Sequence, residues 1–165
     1  MSSITLYPDV PCAYPTTLGE NKATGIGNTP TPIACFRNNS SIPNLRAILQ
    51  HFDFLPTNAS DDTDVIIQMV GGVTATGGTW ESITNSQLEI NKTASVSGGL
   101  PSLTMFASVV ISHGNTPASG SLTDINAEAL GLKLPIGFTF AIYASTTSVA
   151  ATTDLLWSVN WIEKD

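Results

Sequence analysis

Between residues 64 and 163 the chain repeats one pattern. Short stretches rich in Val, Ile, Thr and aromatics are closed by the glycine pairs Gly71-Gly72, Gly77-Gly78 and Gly98-Gly99. β-Branched and aromatic side chains favour extended backbone, and Gly pairs supply the tight turns between extended segments. The pattern predicts a many-stranded β domain. The same stretch gathers no cluster of nucleophiles, bases or metal ligands, so it reads as a module that presents surfaces and holds shape.

Seven strands are predicted from this stretch. Residues 64–70 and 79–83 are apolar runs, and 86–91 alternates, with Leu88 and Ile90 on one face and Gln87 and Glu89 on the other. Residues 103–112 are apolar on both faces, which places them centrally in a sheet or in a subunit interface. A short strand over 130–134 is followed by 138–144, which puts Phe138, Phe140 and Ile142 together. The last, 155–162, puts Leu155, Trp157, Val159 and Trp161 on one face. The Ser/Gly-rich stretch 113–121 and the polar residues up to 128 read as an exposed crossing loop. The fold class expected is all-β, an antiparallel β-sandwich of jelly-roll type.

Ahead of this domain, Pro8, Pro11, Pro15, Pro30, Pro32 and Pro43 crowd the first 43 residues. Each Pro fixes φ and removes a donor. Beyond a short strand over 3–7, the segment is therefore expected to be an extended N-terminal arm, with the sandwich over 44–165. Tyr7, Tyr14, Ile33 and Phe36 are its apolar anchors, expected to seat in a partner's groove. One short helix is predicted over 44–55, because Leu45, Ile48, Leu49 and Phe52 share a helical face and Pro56 ends the run. His51 is its polar tip, with a structural role.

The chain has 165 residues, and charged residues are only 12% of it, about half the usual share. The polar duty falls on 17 Ser and 21 Thr, which suits strands and surfaces that pack against other subunits. Net charge is −7, and the six cations (Lys22, Arg37, Arg46, Lys92, Lys133 and Lys164) are scattered, which argues against nucleic acid as a partner. No apolar run reaches the roughly 18 residues of a membrane span. Met1-Ser2-Ser3 does not open a signal peptide, so either synthesis in a cytoplasm or a trimmed chain is expected, and the three Asn-X-Ser/Thr sequons read as chance matches. Cys12 and Cys35 are expected as free, half-buried thiols rather than a disulfide.

No catalytic or cofactor-binding residues are assigned, and no metal site. Glu81, Glu89, Asp124 and Glu128 are candidates for a glycosidase pair, but solvating carboxylates are the simpler reading. Asp61, Asp62 and Asp64 lack EF-hand spacing. Neither His51 nor His113 stands near a nucleophile motif, and Gly25-Ile26-Gly27 is a short Gly-rich turn rather than a phosphate loop. Trp157 and Trp161 read as core or interface. Trp80, directly after a glycine pair, is the aromatic residue expected at the surface.

The stretch GGTWESITNSQLEINKTASVSGG over residues 77–99, with PIGFTFAIYA at 135–144 and WSVNWIE at 157–163, resembles a pattern of tailed-bacteriophage virion proteins. The resemblance covers about residues 70–163 and does not extend into the arm. It implies a small jelly-roll protein, usually trimeric, of the capsid cement or decoration type. Such a protein sits on the virion surface, binds the major capsid protein and performs no chemistry. The homotrimer would bury Met105, Phe106 and Val110. The alternatives are a tail or baseplate component recognising host glycans, and a bacterial adhesin or lectin-like module.

Overall fold

The computed structural model describes residues 7–17, 19–58, 60, 63–97, 104–112, 123–129 and 131–165, and among them every regular element is a strand. In chain order these are β1 (Val10–Tyr14), β2 (Lys22–Ile26), β3 (Thr31–Asn38), β4 (Arg46–Thr57), β5 (Asp64–Gly71), β6 (Thr74–Thr76) and β7 (Glu81–Ser82). There follow β8 (Leu88–Asn91), β9 (Ser95–Ser97), β10 (Thr104–Ser112), β11 (Thr123–Asn126), β12 (Lys133–Pro135), β13 (Thr139–Thr146) and β14 (Thr153–Lys164).

Two antiparallel sheets form the sandwich. In the first, the 12-residue strands β4 and β14 pair at the centre. Strands β1 and β2 share the outer edge of β14, and β11 and β12 share that of β4. The second runs β10-β5-β13-β3-β8-β7. The pairings nest: β1 with β14, β3 with β13, β4 with β11, β5 with β10. A chain that pairs its ends and then works inward is a long hairpin rolled into two layers, which is jelly-roll topology. The expected antiparallel sandwich is the observed fold.

Aromatic side chains from both sheets close the space between them. Phe36 stacks on Phe140 at 5.2 Å and meets Trp157 and Trp161 edge-on from the opposite sheet. Tyr14 stacks on Trp157, and Phe52 packs edge-on to Phe140. A second, smaller cluster lies on the other face of the β5–β13 sheet. There Cys35, Val70, Ala141 and Tyr143 are covered by Val73, Ala94 and the β6–β9 ribbon.

The expected helix over 44–55 is instead β4, and its own irregularity explains the misreading. Core residues alternate as Ala47 and Leu49, then Phe52 and Phe54, because a register shift leaves Gln50 as an extra residue opposite β14. That bulge turns a spacing of two into three, so Leu45, Leu49 and Phe52 imitate a helical stripe. Asn44, read as a helix start, sits at φ +62 in a turn.

The N-terminal segment is also corrected. Residues 10–38 contribute β1, β2 and β3 to the two sheets rather than an arm outside them. Pro is tolerated here by position. Pro11 lies in β1, at the edge of its sheet, and Pro32 precedes the stretch of β3 that pairs with β8. The expected strand over 3–7 falls largely outside the described residues. The polar stretch up to 128 is not all loop, since Thr123–Asn126 forms β11 on β4. The strand expected over 79–83 shrinks to Glu81–Ser82.

Candidate functional site

Two surfaces stand out once the sandwich is built. The first is the β10 edge. The sequence of β10, TMFASVVIS, is that of a buried central strand, yet among the described residues it pairs on one side only, with β5. In that register Met105 lies opposite Val70 and Val110 opposite Ile66, and Phe106 falls at a register shift between Met105 and Ala107. Val110 is 60% exposed and Ile66 half-buried. Of the three residues expected in a subunit interface, Val110 is thus on an open surface. The side chains of Met105 and Phe106 lie outside the described residues.

The four expected arm anchors behave differently. Tyr14, Ile33 and Phe36 are buried in the chain's own core, so they cannot seat in a partner's groove without unfolding the sandwich. Tyr7 is half-buried, and its backbone N–H donates to Asp165 Oδ2 at 3.0 Å. Burial, and then the Glu163 carboxylate, push its phenol above the usual range.

The second surface is a cleft of about 290 Å³ on the open side of the sandwich, between β2 of one sheet and the β3–β8 side of the other. Ile26, Ile33 and Trp157 line it with apolar surface, and Glu20, Lys22 and Lys92 add charge. Lys22 Nζ lies 3.0 Å from Asp154, and that carboxylate also accepts from the Gly25 N–H and the Asn58 amide. Burial opposes ionisation of Asp154, but these three donors together outweigh it and hold its pKa low. Lys92 Nζ lies 3.5 Å from Glu81 and 5.9 Å from the Tyr14 ring centre. Tyr14 in turn donates its hydroxyl proton to the Glu20 carbonyl. Both ammoniums are thus held in place at the cleft. The sequence signal for this site was slight, because the lining comes from four separated segments.

The remaining candidates are placed as follows. Trp80 is half-buried, with the Arg37 guanidinium 4.2 Å from its ring centre, and packs against the second apolar cluster. Trp157 and Trp161 are core, as expected. Glu89 pairs with Arg37, while Asp124 lies in the other sheet, where its carboxylate is 3.0 Å from His51 Nδ1. The glycosidase candidates are therefore engaged separately. Asp61, Asp62 and His113 fall outside the described residues, and Asp64 opens β5.

The two thiols are free. Burial, with the Glu163 carboxylate second, pushes Cys12 up to about 11, and burial alone pushes Cys35 up to about 12. Both are protonated and poorly nucleophilic at neutral pH. Glu163 itself is fully buried and was not singled out in the sequence. It accepts from Ser86 Oγ, the Gln87 N–H and the Trp161 indole N–H, tying β14 to the turn before β8. Such a carboxylate is a structural pin. No protein-family profile matches the chain, and no curated protein is detectably similar to it.

Proposed function

We propose that the chain is a non-enzymatic structural protein of a bacteriophage virion, a capsid cement or decoration protein. It is made in the host cytoplasm and binds the major capsid lattice as a homotrimer. The observation that carries this reading is β10, a strand with a central strand's composition that lies at the edge of its sheet among the described residues, with Val110 60% exposed. An exposed apolar edge invites pairing with another chain unless it is covered, and a neighbouring subunit supplies the cover. The low charge of the chain supports the same reading, because few ions must be desolvated at a subunit contact. The resemblance over residues 77–99 and in the last two strands supplies the virion setting. Since Tyr14, Ile33 and Phe36 are core residues, attachment to the capsid runs through the outside of the sandwich.

Light scattering on the purified protein, followed by co-sedimentation with emptied phage capsids, tests this reading. A trimer that co-sediments is expected. Val110→Lys should yield a folded monomer, with the far-UV circular dichroism of the wild type and a melting temperature that no longer depends on protein concentration. A wild-type monomer that ignores capsids overturns the proposal.

A second reading, a tail or baseplate component that recognises host glycans, draws on the cleft between β2 and β3. Glycan binding without capsid binding would favour it, or an adhesin-like module.

A further inference from the structure

We infer that one end of the outer face of β12, β4 and β14, carrying Arg46, Lys133 and Lys164, is where the protein meets an acidic segment of the capsid lattice. The inference rests on the capsid reading and gives the attachment a place. It is separate from the β10 contact between subunits.

Register brings the three cations together, although they are scattered in the sequence. Arg46 lies directly opposite Lys164 across β4 and β14, and Lys133 lies opposite Ile48, two residues along β4 from Arg46. Directly opposite side chains start about 5 Å apart at Cβ, and diagonal ones about 7–8 Å apart. Alternation settles the face. Ala47, Leu134 and Glu163 are fully buried on the inner side, so Arg46, Lys133 and Lys164 point outward, with Ile48, Ile162 and Pro135 beside them. Half of the chain's six cations thus share one end of one face of a protein that carries −7. Among residues 46–48, 133–135 and 162–164 the one acid is Glu163, which is engaged on the inner side.

No internal carboxylate answers these charges. Lys22, Arg37 and Lys92 each pair with one. Among the described residues Arg46, Lys133 and Lys164 make no ion pair within 4.0 Å. Asp9, Glu128 and Asp165 border the patch beyond that distance, and Asp165 already accepts the Tyr7 N–H. Like charges directly opposite each other destabilise a sheet, and Arg46 and Lys164 are such a pair. The fold keeps that cost with no counter-charge of its own, so the counter-charge comes from outside.

The surroundings fit protein better than nucleic acid. Ile48 and Ile162 are half-buried among the cations. Beside Arg46 lies a hollow of about 530 Å³ lined by Asn44, Leu45, Pro135 and Ile136, and Ile136 is 43% exposed. Carboxylates for the cations and an apolar side chain for the hollow describe an acidic peptide segment. A phosphate backbone makes no use of the apolar part. It would also run on toward Asp53 and Asp124, which lie opposite each other farther along β4.

The test is co-sedimentation of the full chain with emptied phage capsids at about 50 and 500 mM NaCl. Wild type should sediment at low salt and bind at least about tenfold more weakly at high salt, because exposed charge contacts are screened. The triple variant Arg46→Gln, Lys133→Gln, Lys164→Gln, checked for folding by far-UV circular dichroism, should bind at least about tenfold more weakly at low salt. Wild type that fails to sediment overturns the capsid reading and this site with it. Wild type that sediments beside a variant that binds equally well overturns this site alone. If the variant does not fold, salt-independent binding of wild type overturns the site. A labelled DNA duplex that binds wild type but not the variant overturns the protein partner.

Discussion

At the scale of single residues, stability hangs on two carboxylates that the sequence shows only as members of an acidic total. Glu163 is fully buried, and three groups donate to it: Ser86 Oγ, the Gln87 N–H and the Trp161 N–H. Glu163→Gln replaces one acceptor oxygen by a donor facing donors. It should lower stability by about 1–3 kcal/mol, read from urea unfolding at neutral pH. Asp154 makes a prediction of opposite use. Its pKa is depressed in the folded state, so its contribution is present above the unfolded value near 3.9 and is lost as pH falls through the folded one. Wild type should therefore be more stable than Asp154→Asn at pH 7, and the gap should close as pH drops below about 4. A gap that is constant from pH 7 to 3 would show that the carboxylate's charge contributes nothing.

At the scale of elements, β1 to β3 were the least legible part of the chain. Prolines argued for an arm, because Pro removes a ladder donor. What composition does not record is position, and an edge strand has donors to spare. The consequence reverses the expectation attached to an arm. A chain lacking residues 1–43 loses Tyr14, Ile33 and Phe36 from the core and should not fold, as judged by loss of dispersed NMR signals. Phe36→Ala alone should cost about 3–5 kcal/mol in urea unfolding, since Phe36 touches aromatic partners from both sheets. Strand β4 was misread for a different reason. Its bulge at Gln50 breaks the two-residue period that marks a strand, and a broken period of two resembles a helical one. By contrast β5, β10, β13 and β14 were legible almost to their ends, because their β-rich runs mark them by composition alone, even where β10 carries a register shift at Phe106.

At the scale of the whole molecule, the nested pairing sets the kinetics. β1 can find its place only on β14, more than 130 residues away in the chain by their bounds, Val10–Tyr14 and Thr153–Lys164. Long-range closure must come before its reward. Refolding by dilution from urea, followed by tryptophan fluorescence, should therefore take on the order of seconds rather than microseconds. The same topology explains what could be seen of the candidate sites. The apolar run that carries Val110 was legible because a two-faced apolar strand is a local pattern, and the structure leaves Val110 60% exposed. The cleft was not, because Glu20, Lys22, Ile33, Lys92 and Trp157 meet only after both sheets have formed.

By itself the sequence determined the all-β class, the turns and the inward aromatic face of β14, since each depends on backbone preference and side-chain alternation over a few residues. Tertiary structure alone decided that β10 lies at an edge among the described residues, that the proline-rich segment belongs inside the sandwich, and that two of six lysines and arginines share one cleft. Those outcomes depend on which strands become neighbours, and pairing between distant strands is written in no local window of the chain.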